Sequence, residues 1–197
     1  MSKTGDRTQN IPHSLCGQLL ISMPLLDDPN FHQTVTLICK HDDDGAMGLV
    51  LNRESEFQLQ DVFSELSMSV RNLRWTQRPV LVGGPVSPEL GLVLHCGGEQ
   101  NIWESTMEVA EDLYLTSSRD ILQAMASGNG PKSAQMCLGY AGWSSGQLEA
   151  EIQQNAWFSA PPNTSVIFDD DADSKWQRAA ALLGIDIASM SNQVGHA

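Results

Sequence analysis

The sequence predicts an α+β fold in a single domain, with a mixed sheet flanked by helices. Its 197 residues are enough to bury one core without covalent staples. Apolar segments of strand length are joined by turn residues, and segments with apolar residues at helical spacing lie between them. This mixture favours α+β over a regular alternation of parallel strands and helices. Residues 1–14 are polar and predict a disordered lead-in, so we expect the domain over residues 15–197.

The first half of the chain predicts two hairpins and one helix. Strands are expected at residues 15–23, 34–41, 46–52, 79–86 and 90–96. The acidic turn at 42–45 would join the second and third strands, and the short segment 87–89 would join the fourth and fifth. Apolar residues at helical spacing predict a helix over 59–66.

The second half predicts three further strands and three helices. The strands are expected near residues 109–115, 134–141 and 164–168. The predicted N-caps and ends of the helices are Ser117 or Ser118 with Gly128, Ser144 with residue 157, and Ser174 with Gly184.

Charge argues against two classes of partner. Asp and Glu number 24 against 11 Lys and Arg, which gives a net charge of −13. Such a chain repels phosphate backbones and anionic membrane surfaces unless a local basic patch overcomes the repulsion. The candidate patch consists of Arg71, Arg74 and Arg78 around Trp75. The sequence therefore disfavours direct nucleic-acid binding and predicts no membrane partner.

The cysteines and histidines predict no metal or cofactor site. The four cysteines form no C-x-x-C pair, and three of them lie in apolar runs, which is typical of reduced core residues. His95 ends an apolar strand and is interpreted as a core histidine, while His32 and His41 lack carboxylates at ligand spacing. A polar N-terminal segment and the lack of any long apolar stretch lead us to expect a cytoplasmic location.

Residues Gly142–Gly146 spell G-x-S-x-G, the motif of a hydrolase nucleophile elbow. Ser144 and Gln147 also have the spacing of a capping box, in which the serine hydroxyl accepts from the Gln147 amide. A hydrolase of that type needs a histidine after the serine, and His196 alone follows it. The two expected hairpins also conflict with the parallel sheet of such enzymes. We therefore prefer a capping role for Ser144 and keep a small hydrolase-like enzyme as the alternative.

Four segments together resemble the AlgH/YqgE family of bacterial proteins. They are GQLLISMPLLDDPNF at 17–31, GAMGLVLNR at 45–53, GGPV at 83–86 and GYAGWSSGQLEAEIQQNAW at 139–157. The similarity runs from about Leu15 to the end of the chain. The family pattern in the last segment requires no serine at position 144, and two departures occur here, at 32–34 and at Leu90, where more basic residues are usual.

The resemblance implies a bifurcated, partly barrel-like sheet flanked by helices, and no established activity. Members are named as transcriptional regulators because of an association with alginate production. We therefore expect a non-catalytic regulatory or binding protein that contacts an unidentified protein or small molecule.

Three of the family-like segments end a strand and turn through glycine, so we expect them to converge on one rim. The predicted binding residues are Asn52, Arg53, Gly83, Gly84, Trp143, Gln147 and Glu149. The alternative is packing, with Arg53 paired to Glu149 or Asp61 and Trp143 in the core. A shared pocket requires partial exposure of Trp143.

Overall fold

The computed structural model describes residues 14–97, 103–168 and 171–187. The expected lead-in falls outside these residues except for Ser14. The strands are β1 (Leu19–Ser22), β2 (Val35–Asp42), β3 (Gly45–Val50), β4 (Glu54–Gln58), β5 (Pro79–Val82), β6 (Val86–Cys96), β7 (Thr106–Ala110), β8 (Leu113–Thr116), β9 (Ser133–Ser144) and β10 (Trp157–Ala160). The helices are α1 (Leu59–Glu65), α2 (Arg119–Ser127), α3 (Gln147–Gln153), α4 (Thr164–Ile167) and α5 (Ala172–Ala181), with a 3₁₀ turn at Leu73–Trp75.

One curled sheet organises the molecule, in the order β10-β1-β2-β3-β9-β6-β8-β7. Strand β9 divides it, because β6 pairs along one edge while β5 and β3 share the other. The β5–β9 pairing is parallel, and the other pairings described are antiparallel. The curl brings the segment before β1 against β7, where the Cys16 thiol donates to the Val109 carbonyl. An α+β domain with a bifurcated, partly barrel-like sheet is therefore confirmed.

Alternation of side chains along the strands divides the core into three clusters. The first lies between the inner face of the sheet and helices α4 and α5, and includes Cys137 and Trp176. The second lies between the sheet, α1 and α2, and includes Met136 of the same strand as Cys137. The third surrounds Trp143 beneath α3. Each long strand therefore supports helices on both of its faces.

The predictions of the first hairpin, of the start of α1 and of the end of α2 are confirmed. Strands β2 and β3 pair antiparallel across the acidic turn. Helix α1 begins at Leu59 as expected, and α2 ends before Gly128, whose φ of 97° lies in the left-handed region that glycine tolerates.

The prediction of a second hairpin, between the strands at 79–86 and 90–96, is wrong. Strand β5 pairs with β4 and β9 and leaves β6 to pair with β8 and β9. The residues between β5 and β6 contain Gly84, and a Cβ there would overlap the backbone of Tyr140 and Ala141. This close approach inserts β9 between β5 and β6.

Three other assignments also differ from expectation. The segment expected as a strand at 164–168 forms α4, because the Asn163 side chain accepts from the Val166 amide and caps a helical turn. The expected helix to residue 157 ends at Gln153, and β10 follows. The strand expected at 109–115 is the β7–β8 hairpin.

Two predicted N-caps are also wrong. Helix α5 is capped by Asp171, which accepts from Ser174, so Ser174 lies inside the helix. Helix α3 begins after Gly146, with a φ of 72°, so Ser144 is the last residue of β9.

Candidate functional site

The seven residues expected to share one pocket fall into separate groups. Asn52 is buried, where it accepts from the Val35 amide at 2.9 Å and donates to the Gln33 carbonyl at 2.9 Å. Arg53 donates to the carbonyl of His32, so its contact is neither Glu149 nor Asp61. Both side chains line a small cavity beside Asp171–Asp173.

Gly83 and Gly84 allow the chain to pass close to β9. Gly83 donates to the Leu138 carbonyl at 2.8 Å and accepts from the Val50 amide at 2.8 Å, so its backbone joins β9 to the end of β3. A Cβ at Gly83 would overlap the Gly139 carbonyl oxygen. Packing accounts for both glycines.

Trp143 and Gln147 belong to a hydrogen-bonded clasp centred on Glu151. One carboxylate oxygen of Glu151 accepts from the indoles of Trp143 at 2.9 Å and Trp157 at 2.8 Å, and the other accepts from Gln147 at 2.9 Å. Phe31 packs against both indoles. Trp143 is 5% exposed, so the structure places it in the core and does not form the expected pocket around it.

Glu149 contacts His41 in a pair that sequence spacing gave no reason to expect. His41 Nε2 lies 2.8 Å from Glu149 Oε1, while His41 Nδ1 accepts from the Leu15 amide at 2.9 Å. An amide can only donate, so the ring proton lies on Nε2 and points to the carboxylate. Both ring nitrogens of His41 are therefore engaged in hydrogen bonds.

Ser144 is a surface residue in contact with Gln147. Its hydroxyl donates to Gln147 Oε1 at 3.0 Å, and its amide donates to the same oxygen at 3.0 Å. Half of the expected capping box is therefore present, but the hydroxyl donates where the prediction had it accept. His196, the base that a hydrolase would need, lies outside the described residues.

The thiols lack the character of nucleophiles or metal ligands. Burial raises the pKa of Cys16, Cys39 and Cys96, and raises that of Cys137 to about 12. Among the described residues, no cluster of three or more His, Cys, Asp or Glu is placed to hold a metal ion. In that same part of the chain, no helix is long and apolar enough to cross a membrane.

An apolar cavity of ligand size lies elsewhere, in a groove bounded by α1, the start of α2 and the paired strands β6 and β9. We call it the groove; its volume is about 620 Å³, within the range of ligand pockets. Its apolar lining consists of Phe57, Val62, Leu66, Leu122, Met136 and Leu138. Phe57 is 46% exposed, and this places an aromatic ring at the mouth of the groove.

Sequence reasoning missed the groove because its residues look like ordinary core residues. In α1, Leu59 and Phe63 are buried, whereas Val62 and Leu66 are only half-buried and face the cavity. All four belong to one apolar stripe at helical spacing. One usable signal was Phe57, an aromatic residue in the otherwise polar strand ESEFQ.

The groove has charged side chains on its rim. Asp61, Glu65 and Glu89 contribute carboxylates, and Arg119 contributes the one guanidinium of its lining. Arg119 donates to the Leu66 carbonyl at the end of α1. The arrangement of apolar floor and charged rim is suited to binding an apolar group.

Comparison with known proteins places the chain in a family. A family model described as AlgH-like matches residues 19–188. A UPF0301 protein of Xanthomonas campestris pv. campestris (strain 8004) is 46% identical over 187 residues, which are 95% of this chain and 98% of the relative. A UPF0301 protein of Xanthomonas oryzae pv. oryzae (strain PXO99A) is 44% identical, with the same shares covered.

Two solved structures have a similar fold. The solution structure of the AlgH protein from Pseudomonas aeruginosa has a TM-score of 0.75 and 40% identity, covering 96% of this chain and 99% of that one. The crystal structure of a Corynebacterium diphtheriae protein has a TM-score of 0.73 at 20% identity, covering 92% and 93%, and supports the fold alone. Since the family model and these relatives span nearly the whole sequence, the chain belongs to the AlgH-like family.

Proposed function

We propose that this protein is a non-catalytic regulatory protein of the cytoplasm, and that it acts by binding a partner in the groove. The observation that carries the proposal is an apolar cavity of about 620 Å³ with an exposed aromatic ring at its mouth. Exposed apolar surface in a concave site is typical of binding surfaces. Regulation of transcription, which the family resemblance implies, would then proceed through this partner and not through direct contact with DNA.

The arrangement of polar groups supports binding over catalysis. Ser144 donates its hydroxyl hydrogen to Gln147, and His41 has both ring nitrogens occupied. The raised pKa of each thiol keeps it protonated at neutral pH. The four thiols are free, which suits a reducing compartment and supports the cytoplasmic location.

The test uses a neutral apolar fluorophore, N-phenyl-1-naphthylamine, and a variant that fills the groove. A Cβ at Gly91 would lie 3.0 Å from Met136 Cε, the flexible end of a side chain that lines the groove. Gly91→Leu should therefore occupy the cavity and abolish dye binding. The matched control is Gly142→Leu, since a Cβ at Gly142 meets nothing closer than 3.7 Å and lies outside the groove.

Amide chemical-shift changes in the wild-type protein should locate the dye beside α1 and α2. Dye binding that survives Gly91→Leu, or shifts confined to another face, would contradict the proposal. Covalent labelling of Ser144 by a fluorophosphonate probe would instead support the hydrolase alternative.

A further inference from the structure

The rim of the groove is acidic on two opposite sides. Asp61 and Glu65 lie one helical turn apart on α1, and Glu89 lies on β6 across the groove. All three carboxylates are exposed. A ligand in the groove therefore passes between acidic side chains on both sides.

Arg119 does not neutralise this rim. Its guanidinium donates to the Leu66 carbonyl, so its positive charge sits at the C-terminal end of α1. Three carboxylates against one guanidinium leave the lining with a net negative charge. The whole chain, at −13, adds to the same field.

The apolar surface continues beyond the cavity. Val82 is 42% exposed and lies beside Leu138 of the lining. Val82 is the register partner of Leu138, so its side chain extends the same apolar strip along the sheet. A ligand that covers this strip and the cavity is elongated, like a peptide segment, and not compact.

We infer that the occupant of the groove is an amphipathic segment of a partner protein, with an apolar face and lysine or arginine on both flanks. The apolar face fills the cavity between α1 and α2, and the flanking cations lie opposite Asp61, Glu65 and Glu89. This inference rests on the proposed function, because it names the partner of the same site.

Charge also separates this occupant from the other candidates. A fatty acid, an anionic lipid or a nucleic acid would bring negative charge to a negative rim. A second copy of this chain would bring its own net charge of −13 and its own acidic rim. A basic amphipathic segment complements both the apolar floor and the charged rim.

The experiment uses three synthetic helical peptides of one design. Each has leucine at positions i, i+3, i+4 and i+7, and the flanking residues are all lysine, all glutamine or all glutamate. Binding is measured by fluorescence anisotropy and by displacement of N-phenyl-1-naphthylamine from the full chain. The lysine peptide should bind tightest and weaken as salt is added, because its contacts with the rim are exposed to solvent.

A rim variant isolates the charges without changing the apolar floor. In Asp61→Asn, Glu65→Gln, Glu89→Gln, affinity for the lysine peptide should fall about tenfold, since each exposed charge pair contributes modestly. The matched control is Glu104→Gln, Glu108→Gln, Glu111→Gln, which removes the same charge outside the groove and should leave affinity nearly unchanged.

The outcomes separate the inference from the proposed function. If the glutamine or glutamate peptide binds as tightly as the lysine peptide, the inference is wrong and the groove remains a binding site. Loss of affinity in the control triple variant equal to that in the rim variant would also overturn the inference. If no peptide binds and dye binding is the same in wild-type and Gly91→Leu, both proposals fail. Self-association that Gly91→Leu abolishes, with no peptide binding, would make a second copy the occupant.

Discussion

His95 begins a chain of three hydrogen bonds in a buried site. Thr106 Oγ1 donates to the Trp103 carbonyl at 2.9 Å and therefore accepts from Thr116 Oγ1 at 2.6 Å. Thr116 in turn accepts from His95 Nε2 at 2.8 Å. A second ring proton would place a charge in this buried site. Burial accordingly lowers the pKa of His95 to about 4, against a smaller opposing effect of Asp112.

This lowered pKa predicts a loss of stability in mild acid. In the unfolded chain the pKa is about 6.5, so between about pH 6.5 and pH 4 the unfolded state binds a proton that the folded state excludes. The stabilisation is complete above this window and is lost as the pH falls through it. Glutamine does not titrate in this window. Over that range the free energy of unfolding of wild-type should therefore fall by roughly 3 kcal/mol more than that of His95→Gln.

Urea unfolding of wild-type and variant at several pH values in this window checks the prediction. His32→Gln replaces an exposed histidine and serves as the control. Equal pH dependence of stability in wild-type and His95→Gln would show that His95 is protonated in the folded protein.

Ser144→Ala should have little effect on stability. The sequence predicted a cost of about 1 kcal/mol for a lost N-cap. Since the exposed hydroxyl only donates to Gln147, which still binds the Ser144 amide, we expect a cost of about 0.5 kcal/mol or less. Urea unfolding measures this cost. A fluorophosphonate label that wild-type acquires and Ser144→Ala does not would contradict the structural role.

Glu151 makes helix α3 the connection between two strands. The helix has seven residues, too few to be stable alone, so its position depends on tertiary contacts. Glu151 accepts from Trp143 on β9 and from Trp157 on β10. Leu148 and Ile152 bury the apolar side of the same helix.

Glu151→Gln should destabilise the protein by about 1–3 kcal/mol, the cost of disturbing a half-buried hydrogen-bonded group. In one orientation of the new amide, its NH₂ group faces the NH₂ group of Gln147, and two donors meet. In the other orientation its NH₂ group faces the indoles, which then lose their acceptor. Urea unfolding and near-ultraviolet circular dichroism of the tryptophans measure the effect. Glu111→Gln removes the same charge from an exposed turn and is the control. Equal stability of the two variants would mean that the clasp contributes nothing.

Local signals in the sequence predicted elements whose partners are close along the chain. The β2–β3 hairpin follows from its acidic turn, and the end of α2 follows from Gly128. The partners of β5 could not be predicted in this way, because Leu81 pairs with Cys137, far along the chain. The segment 164–168 has strand-forming residues, yet the cap from Asn163 makes it helical.

The candidate site was less predictable than the fold. Burial of His95 and of Cys39 was correctly expected from apolar neighbours. The glycine turns did mark close backbone approach, but the indole of Trp143 turns inward to Glu151. Leu66 and Leu138 line the groove, and which apolar residues are left uncovered depends on tertiary packing, which the sequence pattern does not show.

Across the whole molecule cations are few, and some of them gather around Trp75. Arg74 and Arg78 lie over the ring of Trp75, with guanidinium carbons 4.5 Å and 5.7 Å from its centroid. Arg74 also donates to the carbonyl of Lys132, which brings another cation to this patch. Trp75 is 1% exposed, so its face cannot stack on a base.

We therefore expect no sub-micromolar affinity for duplex DNA at physiological salt. A net charge of −13 opposes the patch at long range, and the patch lacks an exposed aromatic. Anisotropy titrations of a labelled duplex at two salt concentrations test this, with Arg71→Ala, Arg74→Ala as the comparison. Tight binding that weakens steeply with salt and disappears in the double variant would contradict the expectation.

The pairing of the first strand with the last has a consequence for how the chain folds as it is synthesised. Strand β1 lies between β2 and β10, and its four residues are all buried. Strands β3 and β5 also complete their pairing only with β9. Until residues 133–160 have been made, these strands carry unpaired apolar edges. The sheet therefore closes late, through contacts distant in sequence, and nascent chains that stop before β10 expose β1 to aggregation.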